Sequence, residues 1–188
     1  EAQQCCGELG FELIAASGTP GHRLEGISPQ EAAKNSDRWQ HAVNALRQIL
    51  RRLSPRVVIC PHDLDGHAAH IGTSLLTQQA LAAWSPQQVH LLFSEYWNTQ
   101  IEPRLAVGLD AEAVARLMQG LVQHRGEISR NPYHRSLPAW FADSARRGAE
   151  RVNPPGSLAL DFAFAALYGW RIWKSGEWQT PAPQIWRP

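Results

Sequence analysis

The strongest periodic pattern in this chain is an apolar stripe at helical spacing over residues 37–53. Its apolar side chains recur at intervals of four and three residues, and they are Trp39, Val43, Leu46, Leu50 and Leu53. Arginines occupy the other faces of the same segment. This spacing predicts an amphipathic helix that begins near Asp37 and ends at Ser54-Pro55.

A strand–helix–strand unit follows this helix. Residues 57–60 are apolar without alternation, as strands buried on both faces tend to be. Residues 67–84 have the length and composition of a helix, and residues 89–93, which are apolar except for His90, are predicted to form a second strand after Ser85-Pro86. Short links between strand, helix and strand are typical of a parallel βαβ unit. The predicted fold class is therefore α/β, with a mainly parallel sheet flanked by helices.

The remaining segments carry weaker signals, mostly from glycine, proline and helix-capping residues. Ser28-Pro29-Gln30-Glu31 has the sequence of a helix start, with serine at the N-cap and proline in the first turn. Half of the eight tryptophans follow Gly169, which indicates either a C-terminal segment docked on the core or a sugar-stacking lid. The other predicted elements are a helix over 1–9 ended by Gly10, a strand over 11–15, a loop over 17–27, a helix over 110–124, a loop over 131–138 and an apolar helix over 158–168.

Length and charge narrow the class of protein. The chain has 188 residues, of which 44% are hydrophobic, and this fits one globular domain over residues 1–188. Its formal net charge is +1, so composition gives no electrostatic case for binding nucleic acid or a membrane. No apolar run reaches the roughly 18 residues of a transmembrane helix. The three cysteines, Cys5, Cys6 and Cys60, are predicted to be small core side chains in a reducing cytoplasm rather than a disulfide framework.

Candidate chemistry is concentrated directly after the first βαβ strand, in Pro61-His62-Asp63-Leu64-Asp65-Gly66-His67-Ala68-Ala69-His70. Ligands in open α/β sheets bind outside the carboxyl ends of the strands. His67 and His70 are three residues apart, so on a helix they share one face and can offer two imidazoles to one reacting centre or one metal. The alternative is a polar loop followed by a helix whose histidines are incidental. For His62 and Asp63, a solvated loop is the simpler interpretation.

Residues 57–72, VVICPHDLDGHAAHIG, resemble the second motif of the PIG-L/LmbE family of zinc-dependent N-acetylglucosamine-type deacetylases. Residues 1–10 resemble the end of a helix in that family, and residues 124–147 resemble its C-terminal segment in one bacterial branch. The resemblance covers most of the chain and implies a Rossmann-like sheet. The family's first motif, A-H-P-D-D-E, does not occur in this sequence. The resemblance therefore implies a deacetylase domain without its first βα unit, either as the C-terminal part of a domain or as a paralogue.

The resemblance assigns roles to both histidines. His70 matches the family's third zinc ligand, and His67 matches the residue that steadies the oxyanion or protonates the leaving amine. The other two ligands and the general base belong to the absent motif, so zinc is expected in the complete domain and is expected to bind weakly or not at all to this chain alone. Ala69 stands where the family has an acidic residue that could orient His67. Asp65 could orient His67 from the other side.

Other polar residues are candidates for contacting a substrate. His124 resembles the histidine of the family's A-H-x-S-Q motif, and a cation-favouring position at a helix C-terminus is the alternative. Arg130 and Tyr133 lie in a polar loop that could contact substrate hydroxyls or phosphate, with an ordinary surface position as the alternative. Asp65 is a further candidate. His22, His41 and His90 have no chemical neighbours in the sequence and are interpreted as structural or exposed.

Three functions are consistent with these residues. The first is a zinc-dependent hydrolase that removes an N-acyl group, such as acetyl, from a sugar or glycoconjugate, with this chain an incomplete form of it. The second is a non-catalytic domain of the same fold that binds a sugar or a partner. The third is a metallohydrolase whose site is built within the chain from Asp63, Asp65, His67 and His70.

Overall fold

The structure is a computed structural model that describes residues 1–16 and 24–188. The described helices are α1 (Ala2–Leu9), α2 (Pro29–Lys34), α3 (Asp37–Leu53), α4 (Ala68–Trp84), α5 (Ala111–Leu121), α6 (Arg125–Arg130) and α7 (Tyr133–Arg151). The described strands are β1 (Val57–Pro61), β2 (Gln88–Ser94), β3 (Leu105–Leu109), β4 (Phe164–Lys174), β5 (Glu177–Gln179) and β6 (Gln184–Trp186). His22 and most of the predicted 17–27 loop lie outside the described residues. No helix in the described ranges has the length and apolar character needed to cross a bilayer.

The chain forms two compact units. Unit A comprises residues 15–104 and 168–182, and unit B comprises residues 1–14, 105–167 and 183–188. Strand β4 contributes its last seven residues to unit A and its beginning to unit B. The two units contain the predicted α/β combination of a sheet and flanking helices, so the predicted fold class is confirmed.

Unit A contains the predicted βαβ motif. Strands β1 and β2 pair in parallel, with Val57 opposite His90 and Pro61 opposite Ser94. Strand β4 pairs antiparallel with β2 and with β5. Helix α4 packs against both β1 and α3. The core between them includes Leu50, Leu81, Leu91 and Trp173, so the apolar stripe of α3 is buried as its spacing predicts.

The core of unit A contains Cys60 and several of the tryptophans that follow Gly169. Burial raises the pKa of the Cys60 thiol to about 12. The thiol is therefore protonated at neutral pH, as expected of a small core side chain. Trp170 and Trp173 are buried in β4, and Trp178 packs edge-on against Trp173 with ring centroids 5.1 Å apart. The docked interpretation of the tryptophan-rich segment is confirmed for these three residues.

Strand β1 differs from the expectation of a strand buried on both faces. Val57 and Ile59 are 45% and 57% exposed, while Cys60 of the same strand is buried. Among the described residues, β1 pairs with β2 alone and is an edge strand. An uninterrupted apolar run is compatible with an edge strand as well as with a central one, because the sequence shows which residues are apolar but not which strands lie beside them. The result is an apolar, open strand edge.

The same kind of connection leads into both strands of the β1–β2 pair. Helices α3 and α4 both end at a serine in the left-handed region, Ser54 at φ 44° and Ser85 at φ 50°. Each serine N–H donates to the carbonyl oxygen four residues earlier at 2.8 Å, and a proline follows each serine. The next strand begins three residues after the serine in both cases. The two strands therefore leave their helices through connections of equal length.

Several helices and strands of unit B differ from the predicted ones. Strand β3 pairs in parallel with β6 and lies next to β4. Ala106, Val152 and Leu167 form its buried cluster. Helix α1 ends at Gly10, as predicted, with φ 75°. Residues 11–15 form no strand.

Besides the strand over 11–15, two further predicted elements are wrong. The predicted loop over 131–138 is largely the first part of α7, which continues through Pro138 to Arg151. Of residues 131–138, only Asn131 and Pro132 lie outside α6 and α7. Asp143 forms ion pairs with Arg146 and Arg147 along α7. The predicted helix over 158–168 is instead coil leading into β4. A short apolar run fits either structure, and here alternate residues of the run are buried, as in a strand.

The close approach of α4 to the start of α2 gives a prediction about stability. A Cβ atom at Gly72 would lie 2.6 Å from the backbone nitrogen of Ser28 and 2.7 Å from the carbonyl carbon of Ile27. We expect Gly72→Ala to lower the free energy of unfolding by roughly 2–3 kcal/mol, because backbone atoms must move to admit the methyl group. The measurement is urea denaturation followed by circular dichroism.

The matched control for this prediction is Gly7→Ala in α1. Nothing lies within 4 Å of a Cβ atom at Gly7. The same substitution should there raise stability by roughly 0.5–1 kcal/mol, because alanine restricts the unfolded chain and favours helix. Equal effects at the two glycines would contradict the described packing of α4 on residues 27–28.

Candidate functional site

The loop after β1 is held by a buried histidine. His62 is only 3% exposed, so the solvated-loop interpretation is wrong for this residue, whereas Asp63 is exposed as expected. The backbone N–H of Leu64 donates to His62 Nδ1 at 3.3 Å, and His62 Nε2 contacts the carbonyl oxygen of Asn98 at 2.9 Å. An Nδ1 that accepts leaves the hydrogen on Nε2, which donates to Asn98. Both ring nitrogens are used, so His62 fastens the loop.

Gly66 permits the close contact between this loop and the loop after β2. Its φ of +89° is unfavourable for residues with a side chain, and a Cβ atom would lie 2.8 Å from Asn98 Nδ2. The same Asn98 amide donates to the carbonyl oxygen of Leu64 at 3.0 Å. Two loops that follow adjacent parallel strands are thereby joined at the carboxyl end of the β1–β2 pair.

Asp65 is the hydrogen-bonding centre of this arrangement. Its side chain is fully buried. Oδ1 lies 2.7 Å from Nδ1 of His70 and accepts the His67 N–H at 3.4 Å, while Oδ2 accepts the Trp97 N–H at 3.0 Å. This placement favours a positioning role over the direct substrate contact expected from the sequence. Asp65 also orients the His70 ring, and it contacts the backbone of His67 rather than its ring.

His67 and His70 lie side by side at the start of α4. Their ring centroids are 4.8 Å apart. His67 is the N-cap residue of α4, but its side chain makes no capping hydrogen bond. Because a carboxylate oxygen only accepts, Nδ1 of His70 donates to Asp65, and Nε2 of the neutral ring keeps its lone pair. The predicted pairing of the two imidazoles on one side of the helix start is therefore present.

Two aromatic side chains from the loop after β2 stand beside the imidazoles. The Trp97 ring is stacked with the His67 ring at 6.5 Å between centroids, and the Tyr96 ring lies 5.0 Å from that of His70. Tyr96 and Trp97 are 55% and 60% exposed. Sequence reasoning missed both residues. The available signal was their position directly after a second parallel strand, where the strand-end rule applies equally.

A separate polar cavity of about 230 Å³ lies in unit A. Its lining includes His62 and Asp63 from the first loop, together with Arg104 and Arg171. His67 and His70 are not among its lining residues. The cavity therefore contains only the beginning of the 61–70 segment, while the two imidazoles lie outside its lining, beside the exposed rings of Tyr96 and Trp97.

The side chains described do not by themselves fit a zinc ion. Catalytic zinc takes about three protein ligands and keeps one position for water. No group of three histidine, cysteine or acidic side chains with metal-binding geometry occurs among the described residues. Both carboxylate oxygens of Asp65 are occupied by N–H donors. His70 Nε2, oriented by a carboxylate as metal-bound histidines usually are, is the best single ligand of this site.

The remaining candidate residues have other surroundings. His124, Arg130 and Tyr133 belong to unit B. His124 is the N-cap residue of α6 rather than the end of α5, so the helix C-terminal interpretation is wrong, because α5 already ends at Leu121. Arg130 is exposed and pairs with Glu127. His41 is exposed, and His90 accepts a hydrogen bond from Trp170 Nε1 at 3.1 Å, in agreement with the structural or exposed interpretation.

Comparison with known proteins identifies the fold. No family model and no curated protein matches the chain. Among solved structures, the chain is similar to the conserved protein TT1542 from Thermus thermophilus, with a TM-score of 0.60. The two share 18% sequence identity over 98% of this chain and 72% of that chain. At this identity the similarity concerns the fold alone.

Proposed function

We propose that this chain carries part of the hydrolytic site of an N-acyl-sugar deacetylase of the PIG-L/LmbE type. The supporting observation is the buried Asp65 carboxylate, which orients His70 with Nε2 open while His67 stands 4.8 Å away at the start of α4. An orienting carboxylate behind one imidazole and a second imidazole beside it form an arrangement suited to amide hydrolysis. The proposed substrate is an N-acetylated sugar or glycoconjugate, and the proposed compartment is the reducing cytoplasm.

In this proposal His67 acts on the reacting amide. Attack of water on the acyl carbon places negative charge on the former carbonyl oxygen, and a nearby imidazole N–H stabilises that charge. As the C–N bond breaks, the same ring, in its imidazolium form, gives a proton to the departing amine, while the attacking water gives its own proton to a general base. The start of α4 reinforces the effect, because its free N–H groups and dipole favour an anion. His70 is proposed to bind the metal rather than to transfer a proton.

The open edge of β1 provides a place for the groups that the site lacks. A further strand parallel to β1 would end at the same edge of the sheet, next to the loop that holds His70. Val57 and Ile59 expose apolar side chains on one face of β1, where a helix that accompanies such a strand could pack. We therefore expect the remaining metal ligands and the general base to come from a segment that pairs with β1. In the family this segment carries A-H-P-D-D-E.

Tyr96 and Trp97 fit the sugar part of the proposed substrate. Exposed aromatic rings that flank a reactive centre offer flat apolar faces to a ring, while their polar tips remain in water. The loop that carries them is fixed by Asp65 and His62. A preorganised platform loses little conformational entropy when a ligand binds.

A site contained wholly within this chain receives less support. Asp65, which that alternative requires as a ligand, is fully buried and uses both oxygens for N–H donors. The non-catalytic alternative predicts sugar binding without turnover, and the following experiment separates it from the proposal.

We expect the 188-residue protein to bind less than stoichiometric zinc and to release negligible acetate from an N-acetylglucosaminide. A protein extended at its N-terminus by a family strand and the A-H-P-D-D-E segment should bind one zinc and turn over the substrate. The measurements are metal analysis after gel filtration and an acetate-release assay on both proteins. Tight one-to-one zinc with turnover by the 188-residue protein would promote the self-contained site. Zinc without turnover in the extended protein would favour the non-catalytic alternative.

A further inference from the structure

We propose that the polar cavity of unit A is a second binding site, which takes the carboxylate or phosphate group of a small polyhydroxylated ligand through Arg104 and Arg171. The cavity is separate in its lining from the histidine pair, so this inference does not depend on the proposed deacetylase function. Two guanidinium groups at one cavity are the usual means of binding an oxyanion, because their planar N–H donors match its oxygens.

Arg171 is held in place and still has donors to offer. Its Nη1 donates to Gln78 Oε1 at 3.1 Å, and its guanidinium carbon lies 5.5 Å from the centre of the Phe93 ring. The other guanidinium N–H groups have no acceptor among the described residues. Because Arg171 lines the cavity, a ligand oxygen there can accept them. The fixed position means that little side-chain entropy is lost on binding.

Arg104 is the second donor. Its backbone N–H donates to the carbonyl oxygen of Tyr168 at 2.8 Å, which fixes its base beside the cavity. Its side chain makes one long contact with Glu102, 3.4 Å from Nη2 to Oε2. Glu102 is 77% exposed, so this pair is a weak surface interaction that a ligand anion can replace. The remaining N–H groups of Arg104 have no acceptor among the described residues.

The other residues that line the cavity indicate which further chemical groups the ligand carries. Asp63 and Glu102 add two carboxylates to the lining, so the cavity favours a ligand that also carries hydroxyl groups over a bare anion. Gln100 is fixed by two hydrogen bonds, from its backbone N–H to Glu95 Oε1 at 2.6 Å and from Nε2 to the carbonyl oxygen of Phe93 at 3.1 Å. Its Oε1 remains available as an acceptor for a hydroxyl group.

The size of the cavity limits the ligand further. A volume of about 230 Å³ is below the roughly 300–1,000 Å³ of sites for drug-sized ligands. The cavity therefore suits a sugar phosphate or a sugar acid, and it would not enclose a whole nucleotide.

The test is isothermal titration calorimetry of the 188-residue protein at low salt with glucose 6-phosphate, gluconate and glucose. We expect at least one of the anionic ligands to bind at least about tenfold more tightly than glucose, since hydrogen bonds to charged groups carry most of the recognition. A preference for glucose 6-phosphate identifies a phosphate ligand, and a preference for gluconate identifies a carboxylate ligand. Equal or weaker binding of both anions compared with glucose would overturn the proposal.

Variants locate the site. Arg171→Gln and Arg104→Gln should each weaken the preferred ligand about tenfold or more, because each removes a charged fork of donors. Arg146→Gln, which changes an exposed arginine of unit B, and His67→Ala should leave the affinity unchanged. Thermal melting establishes that the variants are folded, and Arg104→Gln decides the result if Arg171→Gln is not. Undiminished binding by the folded arginine variants would overturn the assignment, whereas loss with His67→Ala would move the site to the histidine pair.

Discussion

Replacement of Asp65 by alanine is expected to lower the free energy of unfolding by about 3 kcal/mol and to release the ring of His70 from its fixed orientation. The substitution removes the acceptor of three N–H groups, one of which belongs to the Trp97 backbone. Because Asp65 is fully buried, water does not replace the lost acceptor without opening the loop. The loops after β1 and β2 should then separate locally, and Trp97 should lose its position beside His67.

Asp63→Ala is the matched control for this prediction. It removes the same chemical group two residues earlier from an exposed position, and surface substitutions of this kind change stability by about 0.5 kcal/mol or less. The measurements are urea denaturation and the ¹⁵N chemical shifts of the His70 ring, which report whether Nδ1 keeps its hydrogen. If Asp65→Ala and Asp63→Ala have the same small effect, the buried hydrogen-bonding centre is not important for the fold.

The second large effect concerns the division of labour between the histidines in the N-terminally extended protein. His67→Ala should lower kcat about 100- to 1,000-fold while the zinc content stays at one, because this ring is proposed to act on charge that develops in the transition state. KM should change little, since the ground-state amide does not need this contact. His70→Ala should instead remove the bound metal, and with it the activity.

Metal analysis and steady-state kinetics on the same preparations distinguish these two losses. His41→Ala is the control, because His41 is an exposed histidine on α3. Loss of zinc from the His67 variant would assign that ring to the metal. Retention of both zinc and kcat by the His70 variant would remove the basis of the proposed function.

The local sequence predicted the fold correctly where its pattern of residues is compatible with only one kind of secondary structure. The 4-3-4-3 stripe of α3 and the serine and proline at the start of α2 predicted those elements correctly. The run leading into β4 does not distinguish a helix from a strand, because a short apolar segment fits both equally well, and the predicted helix is wrong. Its antiparallel pairing with β2, from Ser94 opposite Tyr168 onwards, decides the outcome, and this pairing joins residues far apart in the chain.

The candidate site was predictable to a similar extent. The spacing of His67 and His70 was enough to place the two imidazoles together, because they share the start of one helix. The role of Asp65 required knowledge of where the Trp97 backbone would lie. The cavity depends on Arg104 and Arg171, which only the β2–β4 pairing and the loop after β2 bring near one another. Contacts within one helix turn join residues that are close in the sequence, whereas contacts between strand ends join residues that are far apart in it.

The paired serine–proline connections have a consequence for how this protein tolerates change. The two connections are equal in length, and Pro61 at the end of β1 lies opposite Ser94 at the end of β2. The loops carrying Asp65 and Trp97 therefore begin side by side, and Asp65 accepts the Trp97 N–H. An extra residue in either connection that was taken up by the strand would move the strand by one position and exchange the side chains that face the core with those that face away. These turns should therefore accept changes of residue type much more readily than changes of length. The alignment of the two loops depends on the number of residues behind each strand as much as on any side chain at its end.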